Sequence, residues 1–314
     1  MYERSLSTIW EWRQWRGWLR SALFALTLLG LAHTALAAQA SFATPEEAVT
    51  ALVQALRLND TPRVHSVLGP GADALLRSGD SVQDERRRSS FLKAHDDAHR
   101  IVPEGDDRAV LHVGKEDWPM PIPMVAAQSR WRFDTRAGKQ EILARRIGRN
   151  ELAAIQVCLA IVDAEREYAA HDVNGDGILN YAPRIASTPG KRNGLYWETA
   201  PGDPPSPLGP FLAAAADRGY ASTAPLAPYH GYYYRILSAQ GKHAPGGARS
   251  YVVKGEMIGG FALIAYPARY GISGVMSFIV NQDGLLYQKD LGGDTAGIAR
   301  RMKDYDPDPT WKRP

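Results

Sequence analysis

Three groups of residues carry the side chains from which chemistry could be built. Asp172, Asn174 and Asp176, with Gly177 at the sixth place, set oxygen donors at alternate positions before a glycine that permits a sharp turn. That is the first half of a calcium loop, because a hard cation is surrounded by carboxylate, amide and carbonyl oxygens. The twelfth place is Pro183 where a bidentate Glu would stand, so a full helix-loop-helix site is not expected. A differently completed site would add the Ile178 carbonyl and Asn180; the alternative is a plain polar turn. Calcium is the one cofactor the pattern suits. His95 and His99 fall one helical turn apart, a spacing that can hold zinc, but Asp96 stands where a metalloprotease needs Glu, and no third ligand is visible.

The third group is aromatic. Trp197, Tyr229 and Tyr232, beside His230, together with His112, Trp118 and Trp131 earlier in the chain, could line a groove for a glycan, a peptide or a small ligand. Aromatic faces stack on such partners; packing in the core of a sheet is the alternative use of the same residues. The only cysteine, Cys158, is flanked by Val157 and Leu159 with no activating histidine, so it reads as a small buried apolar side chain, and no disulfide within the chain is possible. There is no Gly-x-Ser-x-Gly elbow, no phosphate-cradling glycine loop and no dinucleotide fingerprint. No catalytic residue is assigned.

These residues must be positioned by an α+β fold. Thr44, Pro45 and Glu47 form a start signal for a helix that carries Ala48, Leu52, Val53 and Leu56 inward. Asn59-Asp60-Thr61-Pro62 opens a second helix that Gly69-Pro70-Gly71 ends, and Ser81 to His99 reads as a charged helix burying little beyond Phe91 and Leu92. Strands are expected at 109–113, 122–125 and 129–134, with the proline-dense Trp118–Pro123 run on a sheet edge where lost donors do no harm. Arg145 to Arg149 reads as a basic connector, either continuous helix or a hinge, into a long helix with Asn150 as its N-cap and Leu152, Ile155, Leu159 and Val162 at helical spacing. Four more strands follow, at 231–237, 260–266, 275–280 and 285–288, with Asn281-Gln282-Asp283-Gly284 as a hairpin turn. The tail after Asp304 reads as irregular.

Composition and the N-terminal stretch set the compartment. The chain has 314 residues, 45% of them hydrophobic, and can bury a sizeable core. Its formal charge is +3, and the basic runs Arg86-Arg87-Arg88 and Arg145-Arg146 lack interleaved aromatics. Nucleic-acid binding is therefore not expected, and such runs read as solvated surface. Arg13, Arg16 and Arg20 precede an apolar run from Ala22 to Ala32, followed by small-residue cleavage sites at Ala35-Leu36-Ala37 and Ala38-Gln39-Ala40. That order is the signature of a signal peptide, residues 1–40, with an uncleaved membrane anchor as the alternative; the run is short of the roughly 20 apolar residues of a membrane span. The mature protein is expected to be exported to the periplasm without spanning the membrane, and with no cysteine at the cleavage site it is not expected to be a lipoprotein.

Two resemblances cover the mature chain by halves, and a third covers nearly all of it. The opening helices and the closing Trp131-Arg132-Phe133 strand resemble the cone-shaped fold of the nuclear-transport-factor-2-like superfamily over 42–143, which implies helices on a curved antiparallel sheet. From 144 to 314, the long helix, the Asp-x-Asn-x-Asp-Gly turn and strands of the Gly-Tyr-x-Tyr and Ala-Tyr-Pro kind resemble the globular heads of type IV pilins and pseudopilins, a long helix on an antiparallel meander. A domain precedes that helix here, so filament assembly by the usual route is not implied. The set Trp131-Arg132-Phe133-Asp134, Arg145 to Glu151, Gly194-Leu195-Tyr196-Trp197, Pro228 to Tyr232 and Lys289 to Gly292 resembles an exported bacterial family known only as domain of unknown function 2950. It implies export and no activity.

The leading expectation is an exported, non-enzymatic envelope protein that serves as an interaction or assembly module for an envelope protein partner. The competing class is a periplasmic binder of a small ligand or glycan, or a hydrolase, using the concave sheet of the first half.

Overall fold

The computed structural model describes residues 39–173, 175, 177–200, 202–217, 220 and 227–314. The expected signal segment, Asn174 and Asp176 lie outside the described residues. The fold is α+β, with helices packed on antiparallel sheets around two hydrophobic clusters.

The first cluster is built by short helices on a small sheet. Helix α1 (Pro45–Arg57) starts where expected: the Thr44 hydroxyl accepts from the Glu47 amide at 3.2 Å, and Pro45 takes the first turn. Its apolar stripe buries Ala48, Val49, Leu52 and Val53. Helices α2 (Thr61–Leu68), α3 (Ala72–Leu76) and α4 (Ser81–Asp97) follow. The sheet runs in the order β1 (His99–Pro103), β2 (Arg108–Val113), β4 (Met124–Ala127), β5 (Arg130–Phe133), with the two-residue β3 (Trp118–Pro119) paired on β2. The charged helix is shorter than its sequence suggested, since His99 leaves it to open β1 against Val113. The outer edge of β5 is covered by Phe42, which exchanges two backbone hydrogen bonds of 2.8 Å with Trp131.

Helix α5 (Thr135–Ala169) spans 35 residues and serves both clusters. It begins at Asp134, whose carboxylate accepts from the Ala137 amide at 3.1 Å, and not at Asn150. Of the two readings of the Arg145–Arg149 connector, continuous helix is the one observed, and the expected boundary between 143 and 144 falls inside that helix. Gly138 explains part of that continuity: a Cβ there would overlap the Pro121 carbonyl, so the helix lies directly on the proline run. The inward face also differs from the expected stripe. Leu152 and Leu159 are exposed, whereas Ala154, Val157, Cys158, Ile161, Val162 and Tyr168 are buried. Small residues at 154 and 158 let the helix approach the second sheet closely.

That sheet has the order β11 (Leu286–Asp290), β10 (Met276–Asn281), β9 (Ala262–Pro267), β6 (Tyr232–Leu237), all antiparallel. The β10–β11 turn forms as the sequence indicates, with Asn281 Oδ1 accepting from the amides of Asp283 and Leu285 and Gly284 at φ 76°. Helix α7 (Thr295–Arg301) packs on β9, and helix α6 (Gly209–Ala216) joins the second cluster through Phe211. A third, small sheet joins β12 (Asp304–Tyr305) in parallel to β7 (Ala239–Gln240), which pairs with β8 (Arg249–Ser250). The tail is irregular in path but pinned: Trp311 is buried and Lys312 exchanges two backbone hydrogen bonds with Gln288.

Candidate ligand-binding cavity

Between α1, α2, α3, α4 and the N-terminal half of α5 the first cluster does not close, and a cavity of about 460 Å³ remains. Its walls are hydrocarbon: Leu52 and Leu56 from α1, Leu75 and Leu76 from α3, Phe91 from α4, Ile142 from α5, and Trp118, Met120 and Ile122 from the proline run. Such a volume and lining are ordinary for a small-molecule site.

Its polar groups are almost all arginines. Arg77, Arg87, Arg88, Arg145, Arg146 and Arg149 line it, and no carboxylate does. Helical spacing brings them there. Arg87 lies one turn before Phe91 on α4, and Arg146 one turn after Ile142 on α5, so each sits on a stripe that faces inward. Arg146 is 2% exposed. Its Nη1 donates to the Ala74 carbonyl at 2.6 Å and its Nη2 to the Leu75 carbonyl, holding the open C-terminal carbonyls of α3. Its Nε is buried and makes no hydrogen bond. Burial, with repulsion from Arg87 next, lowers its pKa to about 10, so it keeps its charge at neutral pH.

Arg87 is held less completely. Its Nη2 donates to the Gln83 side chain, while Nη1 is buried without a hydrogen bond and stands 3.8 Å from Asp84 Oδ1. Burial lowers its pKa, Asp84 opposes that, and Arg149 adds to it. Arg88 is engaged by Glu85 and Asn59 at the rim. Arg149 is exposed, and among the described residues no carboxylate pairs with it. A second opening of about 820 Å³ shares Arg87, Phe91, Trp118 and Arg149 as walls and is also lined by Gln83, Asn150, Tyr220 and His230.

Behind the arginines, a polar seam ties the α4 start to the second sheet. Asp80, buried, accepts from the Gln83 amide at 3.0 Å, from the Tyr220 hydroxyl at 2.7 Å and from the Gly231 amide at 3.0 Å. Burial first and that bond second push the Tyr220 hydroxyl well up. The Gln83 side chain donates to Asn150 Oδ1 at 3.1 Å, and Asn150 Nδ2 donates to the Ser273 carbonyl at 2.8 Å. Gly231, at φ 75°, leaves no room for a Cβ beside the Asn150 amide. The asparagine expected to cap a helix is instead a buried tie in its middle.

The aromatic and histidine residues singled out in the sequence are dispersed. Trp118 and His230 meet as walls of the second opening. His112 faces Asp117, its Nδ1 3.1 Å from that carboxylate and from the Asp117 carbonyl. Trp131 packs on the first cluster, and Trp197 lies under Arg192 with its indole edge toward Tyr168. Tyr229 packs edge-on to Phe211, Tyr220 and His230, while Tyr232 is wholly buried and donates to the Met276 carbonyl at 2.9 Å.

The candidate cation residues are only partly described. Asp172 accepts from the amides of Gly175 and Gly177 at 2.8 and 2.9 Å, Ile178 is exposed, and Asn180 is buried with its amide donating to Glu256. His95 and His99 stack with ring centres 3.9 Å apart, and burial lowers the pKa of His95. Among the described residues no cluster of three or more His, Cys, Asp or Glu could hold a metal ion. Cys158 is buried and its thiol pushed far up by burial.

Sequence reasoning missed Arg87 and Arg146, which it assigned to solvated runs. The signal was their place four residues from Phe91 and Ile142, on inward stripes.

A family model described as "Protein of unknown function (DUF2950)" matches residues 39–313. No curated protein and no solved structure matches the chain, so the likenesses to the transport-factor fold and to pilin heads rest on sequence pattern alone. No helix among the described residues is long and apolar enough to cross a membrane.

Proposed function

The chain belongs to the DUF2950 family, and because membership carries no activity, we propose from the cavity that it is an exported, non-catalytic envelope protein that binds a small, largely apolar molecule. The observation that carries this is the apolar volume of about 460 Å³ left within a hydrophobic cluster that is otherwise buried. A packed interior holds few voids larger than a water molecule, so an opening of this size in a native cluster calls for an occupant. The export half of the reading is supported by the Arg13–Ala40 leader pattern. Hydrocarbon and arginine dominate the lining, with Asn59 and Thr61 as its other polar residues, which suits binding.

Filling the cavity tests the reading. Thermal unfolding of the mature chain is expected to shift upward with apolar ligands, and Leu56→Trp, which places an indole in the opening, should remove the shift while the variant stays folded. An unchanged melting temperature across neutral, anionic and cationic alkyl ligands overturns it.

A second reading, docking to an envelope protein partner, is favoured by one patch. Ile178 and Leu179 are exposed beside Val252, Val253 and Ile258, the two segments being joined through the Tyr181 amide and the Met257 carbonyl at 2.9 Å. Crosslinked recovery from the envelope fraction should yield one partner that a Leu179→Glu, Ile258→Glu variant loses. Recovery of the same partner by that variant rejects the patch as its seat.

A further inference from the structure

Resting on the binding reading above, we propose that the ligand is an amphipathic anion: a hydrocarbon body with a carboxylate or phosphate head, the head held by Arg87, Arg146 and Arg149. Three observations converge on it. The first is composition: the cavity is walled by hydrocarbon, yet every ionic group on it is a cation. A neutral apolar ligand would need none of them, and a cationic one would be repelled.

The second is the state of two guanidinium groups. Arg146 is 98% out of contact with solvent by its 2% exposure, and the carbonyls of Ala74 and Leu75 account for its two terminal nitrogens but leave Nε without a partner. Arg87 Nη1 is likewise buried and unbonded. A buried donor with no acceptor is costly, and more so when it carries charge. An anionic oxygen in the cavity supplies what both lack, and guanidinium groups are suited to carboxylate and phosphate through parallel donors.

The third is mutual repulsion. Arg87 lies close enough to Arg146 and Arg149 for each pair to disfavour the charged form; Asp84 and Asp80 oppose this at Arg87, Asp84 through Oδ1 at 3.8 Å while its Oδ2 accepts from the Ser78 amide at 2.8 Å. Holding α3 accounts for Arg146 alone. It leaves unexplained why two further cations are gathered to it, one of them, Arg149, with no carboxylate partner among the described residues. A head group of one or two negative charges relieves all three at once.

Titration calorimetry on the mature chain separates the outcomes, using dodecanoate, dodecyl phosphate, dodecanol and dodecyltrimethylammonium, each below its micelle concentration. The expected result is that at least one of the two anions binds at least about ten-fold more tightly than dodecanol, with the cation weakest and the anion advantage shrinking as salt is added. The tighter anion assigns the head as carboxylate or phosphate. In Arg87→Gln, Arg149→Gln the anions should fall to the level of dodecanol. Arg149→Gln alone, at an exposed position, should lose part of the advantage and guards against misfolding of the double variant. Dodecanol binding as tightly as both anions overturns the anionic head and leaves the binding reading standing; no heat from any of the four overturns both.

Discussion

The two hydrophobic clusters differ in how completely they close. In the second, β9 is buried along all six residues, in contact with α5 and α7, and Phe261, Leu263, Ile264, Phe278 and Ile279 have no exposed surface. In the first, α4 has no fully buried residue, and the helices stand off far enough to leave the cavity. One helix serves both, presenting Ala154, Cys158 and Ile161 to the closed cluster and Ile142 and Arg146 to the open one. The difference teaches a division of labour along a single element: the closed cluster fixes the helix, and the fixed helix holds cations at a site that would not assemble by packing alone.

The largest expected effect tests that division. Phe278→Ala in the closed cluster should cost about 4 kcal/mol in urea unfolding, because the lost side chain leaves a cavity that tightly packed neighbours cannot fill. Phe91→Ala, which only widens an opening, should cost about 1 kcal/mol or less. Equal costs would erase the distinction between the two clusters. Next comes the seam that joins them. Asp80→Ala removes the acceptor of the Gln83 amide, the Tyr220 hydroxyl and the Gly231 amide, and should cost about 3 kcal/mol. Unfolding followed separately by hydrogen exchange in β2 and in β9 should then show the first cluster opening before the second. Loss of protection in both at the same denaturant concentration would mean the seam does not couple them.

A smaller effect is sought inside the closed cluster, where Glu165 is fully buried, accepts from the Ala182 amide at 2.8 Å through one oxygen and has no partner for the other. Burial raises its pKa well above the ordinary glutamate value. The folded state therefore binds the proton more tightly than the unfolded chain. Its contribution to stability is fully present below the ordinary value and is lost as pH rises from there toward the raised one, by at most about 1.4 kcal/mol per pH unit. Glu165→Gln should flatten the stability profile above about pH 5 relative to the parent. Profiles of the same slope would show that the carboxyl is not what titrates.

Much of the closed cluster was legible in the sequence, and little of the open one. Strands such as Ala262–Pro267 and the Asn281–Gly284 turn announce themselves through local chemistry: continuous apolar runs, and a side chain that bonds its own turn. The start of α5 did not, because Asp134 sits at the end of an alternating strand and Gly138 and Gly148 look like interruptions. The contact that makes Gly138 useful, with Pro121, lies 17 residues away in sequence and has no local trace. The same holds for the cavity. Arg87 and Arg146 stand in charged runs, and only their phase against Phe91 and Ile142 separates them from the solvated arginines beside them. Phase is meaningful once a helix is known to be continuous, and continuity was the feature hidden.

The smallest expected effect lies at the edge of the open cluster. The β4–β5 hairpin turns through Gln128 and Ser129, at φ 52° and 60° with Ala127 opposite Arg130. Both residues occupy the left-handed region, where asparagine and glycine fit with less strain than other side chains. Neither position is buried, so the side chains themselves contribute no packing there. Gln128→Asn with Ser129→Gly should therefore stabilise the chain by about 1 kcal/mol, partly offset by the greater freedom glycine gives the unfolded state. Because β5 leads directly into the Asp134 cap of α5, a tighter turn should also raise hydrogen-exchange protection in the first turns of that helix. Stabilisation without added protection there would place the gain in the hairpin alone and would show that the open cluster's edge and its central helix are ordered independently.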